Sequence, residues 1–269
     1  MRPISQLMNH LTAVIATEFL KARRSKMPLL TALGFILLPF VGGFFMIILK
    51  DPVMAQRLGI ISAKAQLVGG TADWPTFLGL LAQGSALGGI VLFSFIASWV
   101  FGREYSDHTL KDLLALPTPR MTIALAKFVL IWVWSLVLVI FIYLVGLVVG
   151  NLVGLPSAPT AVFWAGTVRV AITAVLTIAL ATPVAFFANA GRGYLPPMGF
   201  ALLMLMLAQV VAAAGWGDYF PWAVPALYAG MAGPAYANMG SISYALVVAT
   251  SLAGIATTLA WWELADQSS

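Results

Sequence analysis

Few side chains in this sequence can do chemistry, and their spacing rules out most reactions. Its histidines are His10 and His108 alone, and it has no cysteine. A thiolate metal site and a disulfide framework are therefore excluded. A two-histidine metal site or a Ser-His-Asp triad has nothing nearby in sequence to build on. A P-loop needs Gly immediately before its Lys, so that backbone N–H groups cradle phosphate. The lysines here follow Leu20, Ser25, Leu49, Ala63, Leu110 and Ala126. The chain cannot hydrolyse ATP by itself, and no metal or cofactor is expected on it.

The remaining candidates are isolated polar residues in apolar surroundings, which implies that a membrane positions them. Only 9% of the residues are charged, the hydrophobic share is 61% and the mean hydropathy is +0.98. A soluble domain carries about 25% charged residues to solvate its surface. Lipid must cover this chain instead. The net charge of +5 is explained by its distribution along the chain, and nucleic acid is not an expected partner.

Charge-free stretches mark the crossings, since about 20 apolar residues span the hydrocarbon core. They run 27–49, 74–102, 128–168, 170–191, 193–217 and 219–262. The third must turn at Gly150, Asn151, Gly154, Pro156 and Pro159. The last begins with Pro221, Pro225, Gly230, Gly233, Pro234 and Gly240, which a regular spanning helix excludes. Residues 216–240 are therefore predicted as short broken or re-entrant helices before the last span. Irregular backbone at that depth must be covered by protein or water.

The expected fold is all-α, with six transmembrane helices at about 28–49, 77–101, 122–150, 161–188, 194–215 and 242–262. They form a single transmembrane domain over 28–262. Residues 1–27 precede it as an amphipathic elbow helix, and 263–269 follow as a cytoplasmic tail. Arg2, Lys21, Arg23, Arg24, Lys26, Arg103, Lys111, Arg120, Lys127 and Arg192 fall on the side holding both termini, against Lys50, Arg57 and Lys64 on the other. The positive-inside rule places the termini in the cytoplasm. In the elbow helix Leu7, Leu11, Val14, Ile15, Phe19 and Ala22 share an apolar face. Glu18, Lys21 and Arg24 fall largely outside it, and the basic end suits anionic headgroups.

The stretch 101–120, FGREYSDHTLKDLLALPTPR, does more than join two spans. Asp107 or Thr109 can cap a short helix, on which Leu110, Leu113 and Leu114 form an apolar face. Pro117 and Pro119 end it. Such a helix suits insertion into a groove on a partner protein. Glu104 borders the same face and can pair with a basic residue of the N-terminal helix or stand solvated. Arg169 lies about 12 Å into its span, where it either snorkels to the interface or lines a polar cavity. Asp218 is its nearest acidic candidate, while Gln209 stands near an outer span end.

Several motifs together resemble ABC-2 type permeases, the membrane half of ATP-binding cassette exporters, in particular those of the bacitracin and lantibiotic-resistance kind. They are EFLKARRS at 18–25, FGREY at 101–105, TLKDLLALP at 109–117 with Arg120, GRGYLPP at 191–197 and GWGDYFPWAVP at 215–225. One departure is His108, where such permeases commonly carry Gly before Thr. The resemblance implies a bacterial inner-membrane exporter working by alternating access. Two permease subunits, identical or paralogous, would join two cytoplasmic ATPase subunits that hold ATP and Mg. Its coupling helix would span 107–116, with Glu104, Asp107, Thr109, Leu110, Leu113 and Leu114 as coupling residues. The outer gate or pathway would draw on Arg169, Gln209, Trp216, Asp218 and Trp222. The cargo expected is hydrophobic or amphipathic, an antimicrobial peptide or drug. Export of a lipid, and a scaffold or sensor subunit that binds an ATPase without transporting, stay open at this point. The predicted spans hold no Asp or Glu, which disfavours ion-coupled secondary transport.

Overall fold

A computed structural model describes residues 4–51, 71–109, 113, 118–233 and 239–264, with backbone alone over 4–10. Leu110, Leu114, most of the predicted 107–116 helix and the tail from 265 lie outside the described residues. Among the described residues every regular element is helical, and six helical segments are long and apolar enough to cross a membrane.

The N-terminal helix α1 (Ile4–Arg24) stops at Ser25, whose hydroxyl donates to the Ala22 carbonyl and accepts from the Met27 N–H. Pro28 then opens the first span, α2 (Met27–Lys50). The second, α3 (Trp74–Ser106), begins at an Asp73 cap that accepts from the Thr76 N–H at 2.9 Å, satisfying one otherwise unpaired donor. The third is α4 (Arg120–Leu152). At its far end Lys50 donates to the carbonyls of Val153 and Gly154, both at 2.6 Å. The fourth span is two helices, α5 (Thr160–Leu180) and α6 (Thr182–Ala190). The fifth is α7 (Leu195–Ala213) and the last α9 (Ser241–Leu264), with the short α8 (Val224–Tyr228) between them. Each span lies mostly within one charge-free stretch, although α4 also carries Lys127 and α5 carries Arg169. The main difference is that α3 continues to Ser106, carrying Arg103 and Glu104 as helical residues.

Helix α3 is the hub, packed on α2, α4, α5, α6 and α7. Small residues let the backbones approach, as membrane interfaces require. A Cβ on Gly166 would meet Leu78 at 2.7 Å, and one on Gly89 would meet Thr177 at 3.1 Å. These contacts advance in the same direction on both helices, so α3 and α5 run parallel.

The break in the fourth span comes from Pro183, which can neither donate its amide nor tolerate the preceding turn. Around it, the Thr182 hydroxyl lies 2.8 Å from the Ala179 carbonyl and 3.0 Å from that of Ser251. It also stands 3.1 Å from the Ser251 hydroxyl, so the break is stitched to α9. Gly254 faces the proline directly, and a Cβ there would stand 2.5 Å from Pro183 N. Backbone on both sides leaves little room to adjust. Gly254→Ala is expected to destabilise the protein by about 1–3 kcal/mol, as overpacking does. Thermal unfolding in detergent measures this, and an unchanged midpoint would mean that the two helices separate freely.

Candidate functional site

Two regions collect the sequence-predicted residues, one at each end of the bundle. The first lies where α1 crosses the start of α4 and the end of α3. Glu18 and Glu104 are each 2% exposed and Lys127 is fully buried. Lys127 Nζ donates to Glu18 Oε2 at 3.1 Å, Glu104 Oε1 at 3.0 Å and the Val100 carbonyl at 2.9 Å. Lys21 bridges the same acids, at 2.7 Å to Glu18 Oε1 and 3.1 Å to Glu104 Oε1. Thr109 completes the cage by donating to Glu104 Oε2 at 2.7 Å.

Each buried charge is thus matched and hydrogen-bonded, the condition for burying it at all. Burial pulls the Lys21 pKa down. The hydrogen bond to Glu18 and the charges of Glu18 and Glu104 outweigh that effect, and the value stands above that of an ordinary lysine. The N-terminal helix is therefore clamped to two spans by ions as well as by its apolar face. Glu18, which the helical wheel puts on the polar side, instead points inward.

Asp107 is exposed and ends α3, its N–H bonding the Arg103 carbonyl at 2.8 Å. His108 follows with φ +56°, a left-handed conformation that favours glycine. This is the position where the resemblance to ABC-2 type permeases implies Gly. Thr109 then accepts the Leu113 N–H on its carbonyl at 3.0 Å. Leu113 is half-buried against the chain's own apolar core. With Val14, Thr17, Lys21, Thr118 and Ile123 it lines a groove between α1 and this loop.

The second region is the broken segment. After α7 the chain makes a 3₁₀ turn at Gly217–Tyr219, then α8, and α8 packs on α3, α5 and α9. Trp222 meets Phe200 at 5.7 Å. Phe200 lies about 20 Å back along α7 from its end at Ala213, so the segment turns back into the bundle. Val224 and Leu227 are buried there among Leu176, Leu180, Val247 and Ala208.

The gate candidates fall around this segment. Trp216 is 66% exposed, and Asp218 is half-buried with Oδ1 shielded and without a hydrogen-bond partner. Gln209 is exposed beside a groove lined by Ala212, Ala223 and Leu227. Arg169 is exposed on the outer face of α5 and forms no ion pair with Asp218.

The sequence reading missed Lys127 as a partner of Glu104, and Glu18 as the second acid that shares it. The available signal was the depth of Lys127: a cation inside a predicted span and facing the bundle commonly pairs with an acid there.

Residues 14–208 match a family model described as ABC-2 family transporter protein. The chain is also 28% identical over 179 residues to the bacitracin transport permease protein BCRB of Bacillus licheniformis, an alignment covering 66% of this chain and 85% of that protein.

Proposed function

The chain belongs to the ABC-2 family of transporter proteins and is a multi-pass transport permease subunit rather than an enzyme; from this premise we propose that it exports an amphipathic peptide antibiotic by alternating access, powered by two partner ATPase subunits. The match over residues 14–208 carries this reading. ATP and Mg reside on the partners. A second permease subunit, identical or paralogous, completes the pathway. The broad outward surface of α7, which buries only Pro197, Ala201 and Ala208, is available to it.

In this account both termini are cytoplasmic and the membrane is the bacterial inner membrane, as the basic residues of one side indicate. Glu104 and Thr109 hold the coupling loop to the bundle. Asp107, Leu110, Leu113 and Leu114 form the part presented to the ATPase. The segment carrying Trp216, Asp218 and Trp222, with Gln209 and Arg169 nearby, forms the outer gate.

Bacitracin is the cargo to try first, because the similar permease of Bacillus licheniformis is named for it. Inverted vesicles holding this chain and its ATPase should take up labelled bacitracin when ATP is added, and not with a non-hydrolysable analogue. Uptake that ignores ATP would remove the exporter reading. ATP-driven uptake of lipid but not of bacitracin would change the cargo and leave the mechanism intact.

A further inference from the structure

Helix α7 is the least buried of the six spans, and its open face carries one polar group where lipid offers no partner. Leu195, Gly199, Leu202, Met206, Gln209 and Ala213 are all exposed and recur at alternating steps of four and three residues. That spacing lines side chains along one edge of a helix, as at a seam with a second helix. Lipid alone would cover this edge if it were wholly apolar, and Gln209 breaks that condition. With 19 residues, α7 is about 28 Å long and only just spans the ~30 Å hydrocarbon layer. Gln209 lies about 6 Å inside its outer end, still within hydrocarbon. Its amide has no hydrogen-bond partner among the described residues, a state strongly disfavoured away from water.

Whatever covers this edge must bury apolar surface and also satisfy an amide at one fixed depth. A second copy of this chain does both. Two copies inserted in the same orientation share a twofold axis along the membrane normal, so identical residues meet at identical depth. Gln carries both donors and an acceptor, so two facing Gln209 amides can bond each other reciprocally. Leu202, Leu203, Met206, Leu207, Val210 and Trp216 are between 38 and 69% exposed, so covering them removes on the order of 600 Å² per subunit, the lower end for a stable pair. Gly199 and Ala213 let two backbones approach, as membrane helix pairs favour. A Cβ on Gly199 would meet nothing within 4 Å in the single chain. Beside Gln209, Ala212, Ala213, Ala223 and Ala226 line a shallow groove with room for a side chain of the second copy.

We propose that two identical copies of this chain pair through α7, with the Gln209 amides bonded to each other across the twofold axis. The proposal rests on the reading of the chain as one of two permeases, and it specifies where they meet. One polar residue in an apolar seam fixes the register of the two helices. Gln209 therefore aligns the subunits beside the broken outer segment and makes no demand on the cargo.

The lack of native cysteine makes the test direct. The full chain is expressed with its ATPase subunit, and single introduced cysteines are oxidised in native membranes. Met206→Cys and Gln209→Cys should each give a disulfide-linked permease dimer. Leu252→Cys, exposed on α9, should give little. In the Met206→Cys background, Gly199→Leu should cut cross-linking about tenfold, since the single chain has room for the side chain and the tight seam is overpacked by it. Gln209→Leu in that background should lower cross-linking about fivefold, as the interhelical hydrogen bonds are lost. Gln209→Asn keeps an amide and should restore much of it. Equal cross-linking at 206, 209 and 252 would mean random collision and overturns the proposal. Two permeases by native mass spectrometry without cross-links at 206 or 209 would place the partner on another face, overturning the seam and leaving the transporter reading intact. Cross-links that need a co-expressed paralogue would overturn the pairing of identical copies. A permease that stays single in its complex with the ATPase overturns both the seam and the reading on which it rests.

Discussion

Replacing Lys127 with methionine is expected to unfold the charge-rich end of the bundle. The substitution keeps most of the volume and removes the only fully buried cation among the described residues. Glu18 would then keep Lys21 alone and Glu104 would keep Lys21 with Arg103 at 3.9 Å, while Glu18 Oε2 loses its partner. Removing one member of a buried ion group costs about 3–5 kcal/mol, since the other charges stay desolvated. Domains as a class have only about 5–15 kcal/mol of stability to lose. The expected signs are low membrane yield and an early thermal transition in detergent. The N-terminal helix should also open to protease before the spans do. Adding Glu18→Gln and Glu104→Gln to Lys127→Met should restore much of the stability, because apolar or neutral replacements remove the penalty together. A Lys127→Met protein as stable as wild type would show that water reaches this cluster.

The second large effect is expected at the loop between α3 and α4. The double variant Leu113→Asp and Leu114→Asp should insert into the membrane yet lose its ATPase subunit and its transport. Leu113 is half-buried against the core that also receives Val14 and Phe19, so an aspartate there also lifts the loop from α1. A carboxylate forced into an apolar contact is strongly disfavoured by desolvation. Leu114 alone separates the two roles, because the sequence puts it on the apolar face of the loop while the Thr109–Glu104 tether remains. Leu114→Asp should abolish co-purification of the ATPase with little change in thermal stability, and Lys111→Gln should do much less. Full ATPase recovery with the double variant would take the docking role away from this loop.

The architecture was largely legible because charge-free length is a local property. Each gap between charges in the sequence holds most of one span, and the density of Pro and Gly after 216 foretold the broken segment. The fourth span was read as continuous, although Pro183 lay within it. A proline's effect depends on whether a neighbour accepts the break, and here Thr182, Ser251 and Gly254 do. The site was less legible for the same reason. Glu104 was expected to pair with a basic residue of the N-terminal helix, and Lys21 reaches it. Glu18 looked like a surface residue on its helical wheel, and Lys127 like a loop-side charge. Their burial follows from α1 crossing α4, a tertiary contact between distant segments that no local pattern encodes. His108 offered a clearer sign. Its departure from Gly falls on the left-handed turn that releases the chain from α3.

This permease is expected to work only through a nucleotide-binding partner. The most direct measurement is purification of the tagged chain from cells that also express an ATP-binding cassette subunit, followed by assay of the purified complex for ATP hydrolysis. A stable complex with two ATPase subunits for two permeases is expected, hydrolysing ATP and losing that activity when the ATPase P-loop lysine is replaced. A permease that purifies alone, yet still moves cargo in vesicles without ATP, would contradict it.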